Sequence, residues 1–204
     1  MIIDETKFLE GYRKNFQRVI PQEQLDDILF LLNKLNESTK IGGTDWEIVK
    51  EKYAYVWATI FHETAGTNDP ISEYGTRRYL MSKRYYPYYG RGYVMLTWLA
   101  NYIKFGEFLG IDLVGKPWLA NEPENAWLIL EEGMTTNKDV QRRYDPDFTA
   151  YTLDDVFNEA TFGNMTRHQR MLTARRIING TDKARLIAGY AEEFYNIIEL
   201  KEAA

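Results

Sequence analysis

Apolar residues recur along the chain mostly three and four positions apart, the spacing that lines one face of an α-helix, and the elements it predicts are mainly helical. From Pro21 the run PQEQLDDILFLLNKLN places Leu25, Ile28, Leu32 and Leu35 on one face, and FLEGYRKNF upstream suits another short helix. In GGTDWEIVKEKYAYVWATIFHE, Thr44 followed by Glu47 has the form of a capping box and marks a helix start. Val49, Tyr53, Val56 and Ile60 then form one stripe, and a further step of three reaches Glu63. That carboxyl is expected on the packed side of its helix, in the last turn, an unusual place for a charge.

AGTNDP breaks this helix, and Asp69, Pro70, Gly75, Pro87, Gly90 and Gly92 punctuate roughly thirty residues of irregular chain or short hairpin, a length of loop that in a compact domain is usually functional. Helical pattern returns in NYIKFGEFLG, where Tyr102, Phe105 and Leu109 share a face and Gly110 stops the run, and again after Pro123 in ENAWLILEEGM. An insertion from about Thr135 to Asn158 reads either as a cover for one end of a cleft or as a solvated loop with a helical turn. Two helices separated by NGTD close the chain, with Thr181 as cap and Ile187, Tyr190, Phe194 and Ile198 on one face of the last. With no repeat, low-complexity tract or linker, residues 1–204 read as one mostly helical domain; two lobes around a cleft also fit the length.

Composition narrows the function. A share of 45% hydrophobic and 27% charged residues is that of a globular protein, and no window resembles a membrane span. The acids in MIIDETKFLEGYRK do not fit a signal peptide, so synthesis in a cytosol is expected. With no cysteine there are no disulfides or thiolate metal sites. The net charge of −5 disfavours nucleic acid. The basic runs RRYLMSKR and TRHQRMLTARR read as helix surface with a few internal ion pairs. Fifteen tyrosines, ten phenylalanines and five tryptophans are mostly core; those in RYYPYYGRGY lie in a loop, where flat faces suit sugar rings.

The stretch FHETAGTNDPISEY carries Glu63 and Glu73. Burial at the negative end of a helix favours the neutral acid at Glu63, able to donate a proton to a departing oxygen. Glu73, on a polar loop with Arg77 and Arg78 nearby, is expected to stay ionised. The pair has the form needed for glycoside hydrolysis. The residues alone leave an equal alternative, in which Glu63 makes a buried ion pair with an arginine and Glu73 decorates a loop. A zinc helix is excluded because Gly66 stands where HExxH needs its second histidine, and no GxSxG motif or histidine supply supports a serine nucleophile.

YYGRGYVMLTWLANYIKFGEFLGIDL, with FHETAG before it and RRIINGTDKARLIAGYAEEFYNII after it, closely resembles the signature of glycoside hydrolase family 19, the plant-type chitinases and related phage endolysins. The motifs agree in order and spacing from about Phe8 to Ile198, and the short, cysteine-free form looks most like the phage lysins. The resemblance implies a mainly α, lysozyme-like two-lobed fold with a small hairpin segment lining a cleft. It implies Glu63 as general acid and Glu73 as general base, with Asp69 as the fallback, and Thr97 as a second anchor for the attacking water. Asn101 and Asn179 match sugar-binding asparagines; outside the family they read as a helix-capping residue and a left-handed turn residue. Tyr88, Tyr89 and Arg91 would shape the cleft floor, although Arg91 also suits a buried counterion and Gly90 and Gly92 a tight turn. Met95 departs from the family's usual glutamine, which changes a sugar subsite.

The expected reaction is a single displacement with inversion, with no metal or organic cofactor. Peptidoglycan is the expected partner, reached when the membrane is opened, by a monomer without stable membrane association. Chitin is the alternative substrate, and a catalytically silent cell-wall-binding protein the rival class.

Overall fold

The computed structural model describes residues 1–136, 151–158 and 163–203. Residues 137–150 of the insertion read from the sequence lie outside them. In chain order the elements are β1 (Ile2–Ile3), α1 (Glu5–Asn15), α2 (Gln22–Glu37), α3 (Trp46–Glu63), β2 (Ile71–Ser72), α4 (Arg77–Met81), β3 (Arg91–Gly92) and α5 (Leu99–Leu109). A 3-10 turn (Pro117–Asn121), α6 (Pro123–Thr135), α7 (Leu153–Phe157), α8 (Arg167–Ala174), a second 3-10 turn (Arg175–Ile177), α9 (Ala184–Ile197) and β4 (Leu200–Lys201) follow.

The core forms around α3. Every residue from Glu51 to Ile60 is buried, so this helix is enclosed on all sides rather than lying with one face to solvent. Helix α9 packs along it and α7 and α8 touch it. Aromatic rings fill the junction: Phe194 of α9 stacks on Phe16 at 4.4 Å and on Trp57 at 5.7 Å, and Phe8 meets Trp57 at 4.8 Å. The stripe expected at Val49, Tyr53, Val56 and Ile60 is wholly interior.

Two caps differ from expectation. The start of α3 is capped by Asp45, whose carboxylate accepts from the Glu47 and Ile48 amides at 2.9 and 3.0 Å; Thr44 lies one residue outside. Either side chain can cap, and the chain places the charged one at the helix mouth. Helix α9 is preceded not by a Thr181 cap but by Lys183, left-handed at φ 54° and without a side-chain cap bond. Gly110 ends α5 in the left-handed conformation, as expected.

The buried face of α3 is not purely apolar. Glu51, Tyr55, Thr59 and Glu63 follow one another at intervals of four, so they share a stripe. Arg170 of α8 holds Glu51 through Nε at 2.7 Å, and Arg175 of the second 3-10 turn holds Glu63 at 2.9 Å. The basic run TRHQRMLTARR therefore supplies internal ion pairs, and they fasten α8 and its following turn to the central helix.

Among the described residues there are two short antiparallel ladders: β1 pairs with β4, and β2 with β3 aligns Ile71 with Gly92 and Ser72 with Arg91. Gly92 has φ +77°, and a Cβ there would stand 2.8 Å from the Ala120 carbonyl oxygen. Only glycine lets β3 approach the first 3-10 turn this closely, and Asn121 Oδ1 accepts its amide at 2.9 Å. Gly90 serves differently: it needs no left-handed backbone, but a Cβ would press on the Met95 side chain at 3.0 Å. No described helix is long and apolar enough to cross a membrane.

Candidate active site

Glu63 ends α3 with 10% of its side chain exposed. Arg175, 2% exposed, donates from Nη1 to Glu63 Oε1 at 2.9 Å and from Nε to the Asp182 carbonyl at 2.8 Å. The bond to Oε1 leaves Oε2 as the oxygen on which an acidic proton can ride. Of the alternatives left open by the sequence, the ion pair with an arginine is present, at the end of a buried helix. Arginine 175, which the motif reading did not single out, also fixes the turn Asn179–Asp182 beside Glu63. Burial pushes the neighbouring His62 down, with the Glu63 charge opposing that and Arg175 adding to it. It is a neutral neighbour near pH 7.

Glu73 follows β2, its amide donating to the Gly90 carbonyl at 2.7 Å. Its carboxylate accepts the Tyr85 hydroxyl on Oε1 at 2.8 Å and the Gly90 amide on Oε2 at 3.3 Å. Among the described residues these are its partners; Arg77 and Arg78, on the exposed helix α4, are not, which corrects the expectation that they hold it charged. Its described partners are two uncharged donors instead. Burial and the Glu73 contact push the Tyr85 phenol up to about 12, so it remains a donor. Its ring meets Trp98 edge-on at 5.3 Å.

The fallback base, Asp69, lies elsewhere. It lines a depression of about 780 Å³ with Gln24, Asp26 and Asp27 of α2. Burial, then the charge of Asp69, pushes Asp27 up to about 6. Of the two acids, Glu73 alone joins the YYGRG segment.

That segment is a tight structure. Arg91 and Leu96 exchange amide bonds at 3.2 and 2.8 Å around a turn in which Met95 is left-handed at φ 52°. Arg91 is 4% exposed, and its Nη1 donates to the carbonyls of Pro87 and Tyr89 and to the Tyr102 hydroxyl, while the guanidinium lies 3.7 Å from the centre of the Tyr89 ring. It belongs to the inside of the loop rather than to its face, and no carboxylate is its described partner. Half-buried Tyr89 is thereby backed by a cation. Thr97, half-buried, donates its hydroxyl to the Met95 carbonyl at 2.7 Å, so toward a water it can accept. Asn101 is 1% exposed and donates to the Thr97 carbonyl at 2.8 Å; the N-cap of α5 is Trp98, with no side-chain cap bond, so Asn101 does not cap the helix. Asn179, half-buried, is left-handed at φ 60° directly before Gly180, so it has the turn role and borders the Arg175 anchor.

The sequence-derived residues therefore gather in two groups joined by the turn after α3. One holds Glu63, Arg175 and Asn179; the other holds Glu73, Tyr85, Thr97, Asn101, Tyr89 and Met95 around the glycine-rich loop. Tyr85 and Arg175 are the additions. The first lay within an aromatic run already marked as a loop, the second within a basic run read as helix surface with a few internal ion pairs.

No family model matches the chain. Over 85 residues, 39% of this chain and 33% of the relative, it is 33% identical to Chitinase 8 of Oryza sativa subsp. japonica, so the match spans about a third of that protein's length. Chitinase C from Streptomyces griseus HUT6037 superposes with a TM-score of 0.57 at 21% identity, over 95% of this chain and 75% of that one. A bacterial family 19 chitinase superposes with a TM-score of 0.58 at 22% identity, over 97% and 95%. The fold is that of the family 19 chitinases across nearly all of the chain, mainly α as expected, and the resemblance read from the motifs is supported in sequence over the 85 matched residues.

Proposed function

We propose that this chain, folded like the family 19 chitinases, is a glycoside hydrolase that cuts a polymer of N-acetylated amino sugars by single displacement. The observation that carries the reading is the difference between its two carboxyls: one at a buried helix end with one oxygen pinned by an arginine, the other on a loop, fed by two uncharged donors. Glu63 delivers the proton on Oε2 to the bridging oxygen as the bond to the anomeric carbon breaks, and the bonding pair leaves with that oxygen. Water attacks the anomeric carbon from the opposite face and gives its proton to Glu73, with Thr97 as the second anchor. The course requires a carboxyl separation of roughly 6.5–9.5 Å to admit the water. Exchange with solvent returns the proton to Glu63.

Within that class the substrate proposed is bacterial peptidoglycan. Its support is the lysin-like form of HETAG and RRIINGTD. Chitin is the second reading, favoured by the names of the similar proteins. The test is release of reducing ends from purified murein and from chitin oligosaccharides, with mass spectrometry naming the new end. Glu63→Gln and Glu73→Gln are each expected to lower turnover by about 10²–10⁴-fold, while Asp69→Asn stays within a few-fold of the parent. Parent protein that binds glycan but releases no ends would make it a silent binding protein.

A further inference from the structure

Beside the Glu63 group lies a second feature that the proposed chemistry does not use. Arg176, Lys183 and Arg185, with the hydroxyls of Thr173 and Thr181, line an open depression of about 610 Å³ between α8 and the start of α9. Among the described residues no carboxylate lines it, although acids outnumber basic residues in the chain and the net charge is −5. Among the described residues Lys183 and Arg185 form no ion pair. Asp182, between Thr181 and Lys183, is exposed and not part of the wall. Cations gathered in one hollow repel one another, and a bound anion relieves that repulsion.

The hollow is tied to Glu63 through residues next to its lining. Arg175, which grips Glu63, is followed directly by Arg176, and its Nε holds the carbonyl of Asp182 at 2.8 Å, between two lining residues. The charges of Asp182 and Lys183 both bear on His62, next to Glu63.

We infer that this depression takes the carboxylates attached to the glycan strand, and so makes an anionic, peptide-bearing glycan the preferred substrate over a neutral one. The inference rests on the peptidoglycan reading above. An N-acetylated chitin strand offers no ionised group to the hollow, whereas peptidoglycan carries the carboxylates of its peptides, and a lactyl carboxylate wherever a peptide has been removed. Guanidinium and ammonium groups with neighbouring hydroxyls suit them.

The test compares the parent with Lys183→Ala/Arg185→Ala and Lys183→Glu/Arg185→Glu on intact murein, on strands stripped of peptide by an amidase, and on chitin oligosaccharides. KM for intact murein is expected to rise about 10-fold or more with kcat within about two-fold, and KM for chitin to stay constant; raising salt from about 50 to about 300 mM should shrink the difference. Lys183→Arg should behave as the parent. A response on intact murein alone assigns the hollow to peptide carboxylates, and one on stripped strands too shows that it also takes the lactyl carboxylate the amidase frees. An equal change on chitin, or none on murein, overturns the inference. Sedimentation of sacculi with Glu63→Gln protein, with and without the double substitution, reads the hollow whether or not a bond is cut. The parent's own turnover of murein decides the underlying reading separately.

Discussion

Arg175 and Glu63 form a nearly enclosed pair, and removing one member should expose what holding it costs. In Arg175→Met the Glu63 carboxylate keeps only 10% of its side chain in solvent and loses its cation, and the Asp182 carbonyl loses a donor. Stranding one member of a buried pair costs roughly 3–5 kcal/mol. At about 4 kcal/mol, and with about 1 kcal/mol moving Tm by ~2–4 °C at this chain length, the variant should melt ~8–16 °C below the parent. Glu63→Gln strands the guanidinium instead, but an amide oxygen still accepts, so its loss should be smaller. The measurement is a double-mutant cycle in urea followed by circular dichroism. Glu63→Gln/Arg175→Met should be destabilised by about 1–3 kcal/mol less than the sum of the single changes. Additivity within about 0.5 kcal/mol would show that the two side chains do not depend on each other, and the account of how the acid is positioned would fall with it.

Three further outcomes follow from the same contacts. Tyr85→Phe deletes the 2.8 Å donor to Glu73; kcat should fall by about 10-fold, of order 1.4 kcal/mol, with KM and Tm little changed, and unchanged kcat would remove Tyr85 from the site. Gly92→Ala puts a Cβ 2.8 Å from the Ala120 oxygen at φ +77°; melting should drop by several degrees, more than for Gly189→Ala, where a Cβ meets nothing within 4 Å. Asp27, pushed up to about 6, binds its proton more tightly folded than unfolded. Its contribution is therefore fully present below the unfolded value near 3.8 and is lost as pH rises through about 6. Asp27→Asn should raise Tm at pH 7 and flatten the pH dependence between about 4 and 6; a lower Tm at pH 7 would contradict this.

Much of the fold was legible because helices announce themselves locally. The stripe Val49, Tyr53, Val56 and Ile60 and the stop at Gly110 rest on periodicity and on a conformation that glycine alone adopts freely. Caps were less legible, since Thr44 and Asp45 are chemically equal candidates and tertiary placement chose between them. Glu63 stood out because a glutamate extended an apolar stripe, but its partner lies 112 positions away, and no local pattern encodes such a contact. The same holds for Tyr85, whose neighbour Glu73 reaches it only after β2 has paired with β3. Arg77 and Arg78 mislead for the opposite reason, being close along the chain yet turned outward by α4.

Arg175 and Arg176 are consecutive, one turned inward to the acid and the other out to solvent. A tight turn separates neighbouring side chains by roughly a third of a revolution, so which guanidinium reaches the interior is a matter of frame. Deleting one residue between Ala174 and Asn179 would shift that frame, disturbing the outer hollow and the Glu63 contact together. Any insertion tolerated by this fold should therefore fall outside that short span, and a library of single-residue indels scored for turnover would map its edges.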